Sequence, residues 1–217
     1  MSFSLLCALA LGAPPADPPP AVAGLTHELS SANTITRSRA ARELGKLKDQ
    51  AAAAVPELAK TLADADPFVA RDAAEALGKI GHAAVPALRD ALRSAEPRVR
   101  IRALHALSNC CPKDPPTVVV LARTLKEDPD ANVRRWAALT LDRIGLTSQG
   151  LIANLKAALD DEDVTVRYSA AIALTRYGVE LKETTARLAP TLVSEIAGLN
   201  GLTTDVLRTI TDTFGKK

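Results

Sequence analysis

Along this chain the apolar positions come in two alternating arrangements. The first is a pair of leucines four residues apart: Leu25/Leu29, Leu58/Leu62, Leu88/Leu92, Leu121/Leu125 and Leu155/Leu159. Residues four apart share one helix face, so each pair predicts a short amphipathic helix, here called A. The second arrangement starts seven or eight residues later at an anchor: Thr36, Val69, Val99, Val133 and Val166. Apolar residues then recur at +4, +5, +7, +8 and +11, which after Val69 gives Ala73, Ala74, Ala76, Leu77 and Ile80. The spacing is helical, but the stripe covers about half the circumference, wider than a lone surface helix needs. It predicts a second helix, B, packed on both sides.

The A–B unit repeats. DPFVARDAAEALGKIG (66–81), EPRVRIRALHALSNCC (96–111), DANVRRWAALTLDRIG (130–145) and DVTVRYSAAIALTRYG (163–178) align on anchors spaced 30, 34 and 33 residues apart. A weaker copy, ITRSRAARELG (35–45), precedes them, and a divergent one, DVLRTITDTFG (205–215), follows with Val206 at the anchor. One helix pair cannot bury so broad a face; stacked neighbours can. The punctuation agrees. Pro56 and Pro86 stand where a first helical turn tolerates proline. Asp66, Glu96, Asp130 and Asp163 precede the B helices, where an anion meets the positive end of the dipole. Gly45, Gly81, Gly145 and Gly178 fall at or near B-helix ends.

AVPxLxxxL followed by DPxVRxxAAxALGxIG resembles the HEAT-like repeat of the phycobilisome-lyase group and of many scaffold proteins. The resemblance covers residues 22–178 well and 184–215 loosely. It implies an all-α fold: a right-handed α-solenoid of about six two-helix repeats, with A helices on the convex side and B helices lining the concave side.

Composition narrows the classes. Apolar residues make up 47% and aromatics 3%, so the core is aliphatic; 27 Lys+Arg against 25 Asp+Glu give a net charge of +2. Near neutrality argues against nucleic acid or an anionic membrane as the partner. Cys7, Cys110 and Cys111 are too few and too unevenly spaced for a disulfide framework. Cys110 takes the +11 core position. No apolar run reaches the 18 residues or so of a membrane span.

Residues 1–24 stand apart from the repeat domain, expected over 25–217. The apolar run FSLLCALALG (3–12) precedes APPADPPPA (13–21), which proline should keep extended. A secretory signal plus linker is one reading, giving an exported or periplasmic protein. A disordered start is the other, giving a cytoplasmic one; the absence of Lys or Arg before Arg37 counts against a signal, and the two readings stay open.

Two sets of side chains carry the candidate chemistry. Arg37, Arg100, Arg134 and Arg167 all stand at anchor +1, with Ala70 in that place in the second unit. They predict a structural ladder in which each guanidinium pairs with a turn acid of a neighbouring repeat; a phosphate-binding stripe is the alternative. Positions +2, +3, +6 and +10 are expected to face away from the core. In the later repeats they bring Arg102, His105, Arg135, Trp136, Leu139, Arg143, Tyr168, Ile172 and Arg176 onto one surface. Trp, Tyr and Arg are enriched at binding hot spots, so this row is a candidate partner-binding groove. Gap filling between repeats by Trp136 and Ile172 is the competing reading.

The sequence predicts no catalytic residue, metal ligand or cofactor. His27-Glu28 occurs once, whereas HEAT-like di-iron hydroxylases repeat such a pair; His82 and His105 lack the glutamate. There is no phosphate loop, G-x-S-x-G or H-E-x-x-H. The expected function is a non-catalytic scaffold presenting a groove to another protein or peptide. The alternatives are a bilin-lyase-like or chaperone-like enzyme subunit, which the resemblance implies, and a nucleic-acid-binding HEAT-like protein.

Overall fold

The computed structural model describes residues 19–110, 115–145 and 149–176. These form five A–B pairs: α1 (Pro20–Glu28) with α2 (Thr34–Leu47), α3 (Val55–Thr61) with α4 (Pro67–Ile80), α5 (Val85–Ala91) with α6 (Pro97–Cys110), α7 (Pro115–Glu127) with α8 (Ala131–Ile144), and α9 (Gln149–Ala157) with α10 (Val164–Arg176). No β-strand occurs among the described residues. The unit anchored at Val206, Gly178, Cys7, Cys111 and the apolar run at 3–12 lie outside them.

Four of the five described B helices start at a side-chain cap. Asn33 Oδ1 accepts the N–H groups of Ile35 and Thr36, Asp66 Oδ1 those of Phe68 and Val69, Asp130 Oδ1 that of Val133, and Asp163 Oδ1 those of Thr165 and Val166. Each cap satisfies donors that the first turn leaves without partners. Tight 3₁₀ segments, Lys48–Ala54 and Gly81–Ala84, lead from α2 into α3 and from α4 into α5.

Two local expectations change. The first helix begins at Pro20, inside the stretch expected to be extended. Proline is tolerated at a helix's first position, and Val22, one turn in, is buried in the core. Gly45 lies within α2 rather than at its end. A Cβ there would stand 2.9 Å from the Ala76 backbone on α4, and one at Gly78 2.9 Å from Asn109 Cβ on α6. These glycines therefore permit close approach of neighbouring B helices. The turn-making position is +12, where Gly81 and Gly145 have positive φ and Lys48 is forced to φ 52°, ψ −130°.

The core is one aliphatic column running the length of the stack. Leu58, Leu62, Leu88, Leu121, Leu125 and Leu155 of the A side meet Leu44, Leu77, Leu104, Leu107, Leu141 and Leu174 of the B side. Each fully buried leucine contributes about 1.5–3 kcal/mol. Successive B helices pack on one another in the order α2, α4, α6, α8, α10, over far more of their length than successive A helices do. Closer packing along the B row than along the A row is the arrangement that a stack bent towards its B helices would need.

A charged ladder links the turns. Arg37 donates to both Asp64 oxygens at 2.7 and 2.9 Å, Arg100 to both of Asp128 at 2.8 and 2.7 Å, and Arg134 to both of Asp161 at 2.8 Å. The Nη1 of each also donates to two carbonyls in the turn before its own helix, Ser31 and Ala32, Ser94 and Ala95, or Asp128 and Pro129. Arg167 does the same to Asp161 and Glu162. Each arginine thus fastens its own turn, and the first three fasten the next one as well.

The acids are not the caps before the B helices but the residues two positions earlier. Their Oδ1 atoms also accept the cap residue's N–H: Asp64 that of Asp66, Asp128 that of Asp130 and Asp161 that of Asp163. Ser94 makes the corresponding bond to Glu96 and follows the one repeat whose +1 residue is Ala70. That rung has lost cation and anion together, as expected if either alone would leave a buried charge uncompensated. The Arg37 bonds hold the Asp64 carboxyl below its ordinary range, against the opposing pull of burial. Arg134 is shifted up, chiefly through its hydrogen bond to Asp161.

Candidate functional site

The B-helix row differs between the two ends of the stack. In the first two repeats most of its cations are met by acids. Arg39 pairs with Glu28 at 2.7 Å, Lys46 with Glu43 at 2.7 Å, and Arg42 with Asp72 at 3.0 Å, while Arg71 lies 3.9 Å from Glu75. Asp72 also accepts the Ser38 hydroxyl at 2.5 Å. Ser38 at +2 and Asp72 and Ser169 at +3 are buried. Positions +2 and +3 therefore lie partly between adjacent B helices instead of facing uniformly outward, because the tight B–B packing covers them.

In the later repeats the row is open. Trp136 on α8 is half-buried and packs against the core with one part of its ring. The His105 imidazole of α6 meets it edge-on, with centroids 5.8 Å apart at 79°. The Arg135 guanidinium lies 6.0 Å from the indole centroid, and its Nε is buried without a hydrogen-bond partner. Thr140 at the following turn donates to the Trp136 carbonyl at 2.7 Å and contacts that of Leu104 at 3.2 Å, tying α8 to α6.

Trp136 and Leu139 form the apolar wall of a cavity of about 400 Å³. Arg143 and Arg176 also line it, and Ser108, Thr140 and Asp142 complete the lining. Ser108 and Asp142 occupy +9, the position where Gly45 and Gly78 bring the earlier B helices together. Asp142 is buried, and burial pushes its carboxyl up while Arg176 pulls it down. Arg176 Nε lies 3.1 Å from Asp142 Oδ1, a charge contact without hydrogen-bond alignment. A second cavity of about 490 Å³, on the side of the earlier repeats, is lined by His105 with Glu75, Gly78, Lys79 and Asn109.

The structure thus brings Trp136, Leu139, Arg143 and Arg176 to one cavity, with His105 and Arg135 against the indole. Arg102 points elsewhere: its Nη1 donates to the Leu62 carbonyl at 2.6 Å, and burial lowers its pKa. Tyr168 is 58% exposed and Ile172 half-buried, and neither lines that cavity. Thr140 was missed because +7 reads as a core position, and Ser108 and Asp142 because +9 belongs to neither the core stripe nor the outward row. The signal for Asp142 was a carboxylate at a register position that holds glycine twice. His27 is exposed on α1, and Cys110 lies near the Leu77 carbonyl at 3.6 Å. No group of three His, Cys, Asp or Glu suited to a metal occurs among the described residues, and no described helix is long and apolar enough to cross a membrane.

The complex of CpcE and CpcF of phycocyanin lyase from Nostoc sp. PCC7120 superposes with a TM-score of 0.52 at 26% identity, covering 95% of this chain and 79% of that one. The X-ray structure of YibA from E. coli gives 0.51 at 20% identity, covering 91% and 82%. No curated protein sequence matches the chain. The family model for HEAT repeats matches three times, over residues 22–108, 85–175 and 117–195, and together these spans take in most of the chain. The chain belongs to the HEAT repeat family.

Proposed function

We propose that the chain is a non-catalytic interaction scaffold that binds another protein or peptide along the B-helix row of its third to fifth repeats. One observation carries the reading. Trp136, Leu139, Arg143 and Arg176 share an open cavity on the B-helix row, whereas ion pairs engage most cations of the same row in the first two repeats. A half-buried tryptophan edged by arginines is the composition of a binding hot spot, and solenoids supply extended concave surfaces by construction.

The test is affinity capture with wild type and with a variant carrying Arg135→Glu, Trp136→Ala and Arg176→Glu, after circular dichroism shows both equally folded. A protein retained by wild type and lost by the variant supports the groove. Equal retention by both moves the binding surface elsewhere. If Trp136→Ala alone costs about 3–5 kcal/mol of stability, as a core tryptophan would, and leaves binding intact, Trp136 is gap filling.

The likeness to the phycocyanin-lyase complex favours a second reading, a bilin-lyase-like subunit. It predicts bilin absorbance on an acceptor protein after co-expression; the scaffold reading predicts none.

A further inference from the structure

The charges around the cavity between α8 and α10 are unevenly matched. Arg135 and Arg143 have no carboxylate within ion-pair distance among the described residues, unlike Arg39, Arg42 and Lys46 in the earlier repeats. The one acid lining the cavity, Asp142, is 8% exposed and faces Arg176. Two lining guanidiniums, Arg143 and Arg176, against one buried carboxylate leave the opening electropositive, and Arg135 beside the indole adds to it. A cationic ligand would be repelled there, and an anionic one attracted.

The geometry is equally selective. Asp142 lies 3.1 Å from the Arg176 Nε as a charge contact, and no protein hydrogen bond among the described residues engages the terminal nitrogens. Arg143 reaches the same cavity from α8. Paired guanidinium N–H groups fit the two oxygens of a carboxylate. Trp136 and Leu139 supply an apolar wall beside them. A volume of about 400 Å³ exceeds what a lone carboxylate fills and leaves room for an apolar neighbour. Nucleic acid fits less well, since it calls for a longer track of cations along successive phosphates, and the adjoining cavity mixes Glu75 with Lys79.

Resting on the scaffold reading, we propose that this cavity binds an acidic side chain of a partner peptide, its carboxylate held by Arg143 and Arg176 and a neighbouring apolar residue lying against Trp136 and Leu139. Asp142 is a positioning residue for Arg176.

The test uses the full chain and two fluorescein-labelled peptides, one alternating Glu with Leu and Phe, the other carrying Lys in place of each Glu. Anisotropy at about 150 mM salt, where the screening length is about 8 Å, is expected to show binding of the Glu peptide alone. Arg143→Gln with Arg176→Gln should weaken it about tenfold or more, while Arg42→Gln, in the ion-paired part of the row, should leave it unchanged. Equal binding of the Lys peptide overturns the proposal. So does a Glu peptide that the double Gln variant binds normally, and if Trp136→Ala still abolishes that binding, the scaffold groove stands without acid recognition. If wild type binds neither peptide, the acidic-peptide site is refuted, while retention of a captured protein that is lost in the triple variant would keep the scaffold reading. Displacement of the Glu peptide by a poly-dT oligonucleotide overturns both in favour of nucleic acid.

Discussion

Replacing Asp128 by serine tests the ladder at its most buried rung. The side chains of Arg100 and Asp128 are each 8% exposed and share two hydrogen bonds of 2.8 and 2.7 Å. Serine keeps the local role, because Ser94 already accepts the N–H of Glu96 where Asp128 accepts that of Asp130. What is lost is the anion. Arg100 stays pinned by the Ser94 and Ala95 carbonyls, so its charge remains buried without compensation. Breaking such a pair from one side costs about 3–5 kcal/mol. The double change Arg100→Ala with Asp128→Ser recreates the pairing found naturally at Ala70 and Ser94 and removes the stranded charge. It should cost less than the sum of the two single changes, with a coupling of about 2 kcal/mol or more. Denaturant unfolding of the four proteins, followed by circular dichroism, gives the cycle. Additivity within about 0.5 kcal/mol would refute the account of why both partners vanish together at the second rung.

Other positions give independent checks by the same assay. Gly45→Ala should destabilise by about 1–3 kcal/mol, because its Cβ would meet the Ala76 backbone at 2.9 Å. Gly24→Ala in α1, with nothing within 4 Å, should instead stabilise by up to about 1 kcal/mol. Lys48→Gly should stabilise by about 1 kcal/mol by releasing the φ 52° strain, and an unchanged or lower midpoint would contradict that. Asp64, held below its unfolded value of about 3.9, contributes stability that is present above that pH and lost as pH falls through its folded value. Asp142, pushed up by burial, acts in the opposite sense: stability falls as pH rises from about 3.9 through its folded value. Comparing pH titrations of unfolding for Asp64→Asn and Asp142→Asn should show wild type losing more on acidification than the first and less than the second.

Much of the fold was legible because its signals were periodic. The leucine pairs and the anchor stripe recur five times, and stacking is the arrangement that buries both. Punctuation was legible only where one residue type had one use. Glycine has two here, close approach at Gly45 and Gly78 and positive φ at Gly81 and Gly145, and spacing alone did not separate them. The arginines of the ladder announced themselves by register, but their acids sat beside equally acidic caps. Which acid faces the guanidinium depends on the path of the turn. The candidate groove was hardest to read. Whether a B-helix residue is open depends on how closely the next B helix approaches, and that is set at +9 by residues as different as Gly78 and Asp142. The helical start at Pro20 went unseen because proline is read as a breaker although it is tolerated at a helix's first position.

The central claim, that the B-helix row around Trp136 is where a partner binds, can be read from the chain's single tryptophan. Its emission would be followed while a protein captured by wild type is titrated in, using a partner form free of tryptophan. The account predicts a saturable change in Trp136 emission at the same concentration as complex formation seen by sedimentation, and loss of both in the Arg143→Glu, Arg176→Glu variant. Complex formation without any change at Trp136, and unaffected by that variant, would contradict it.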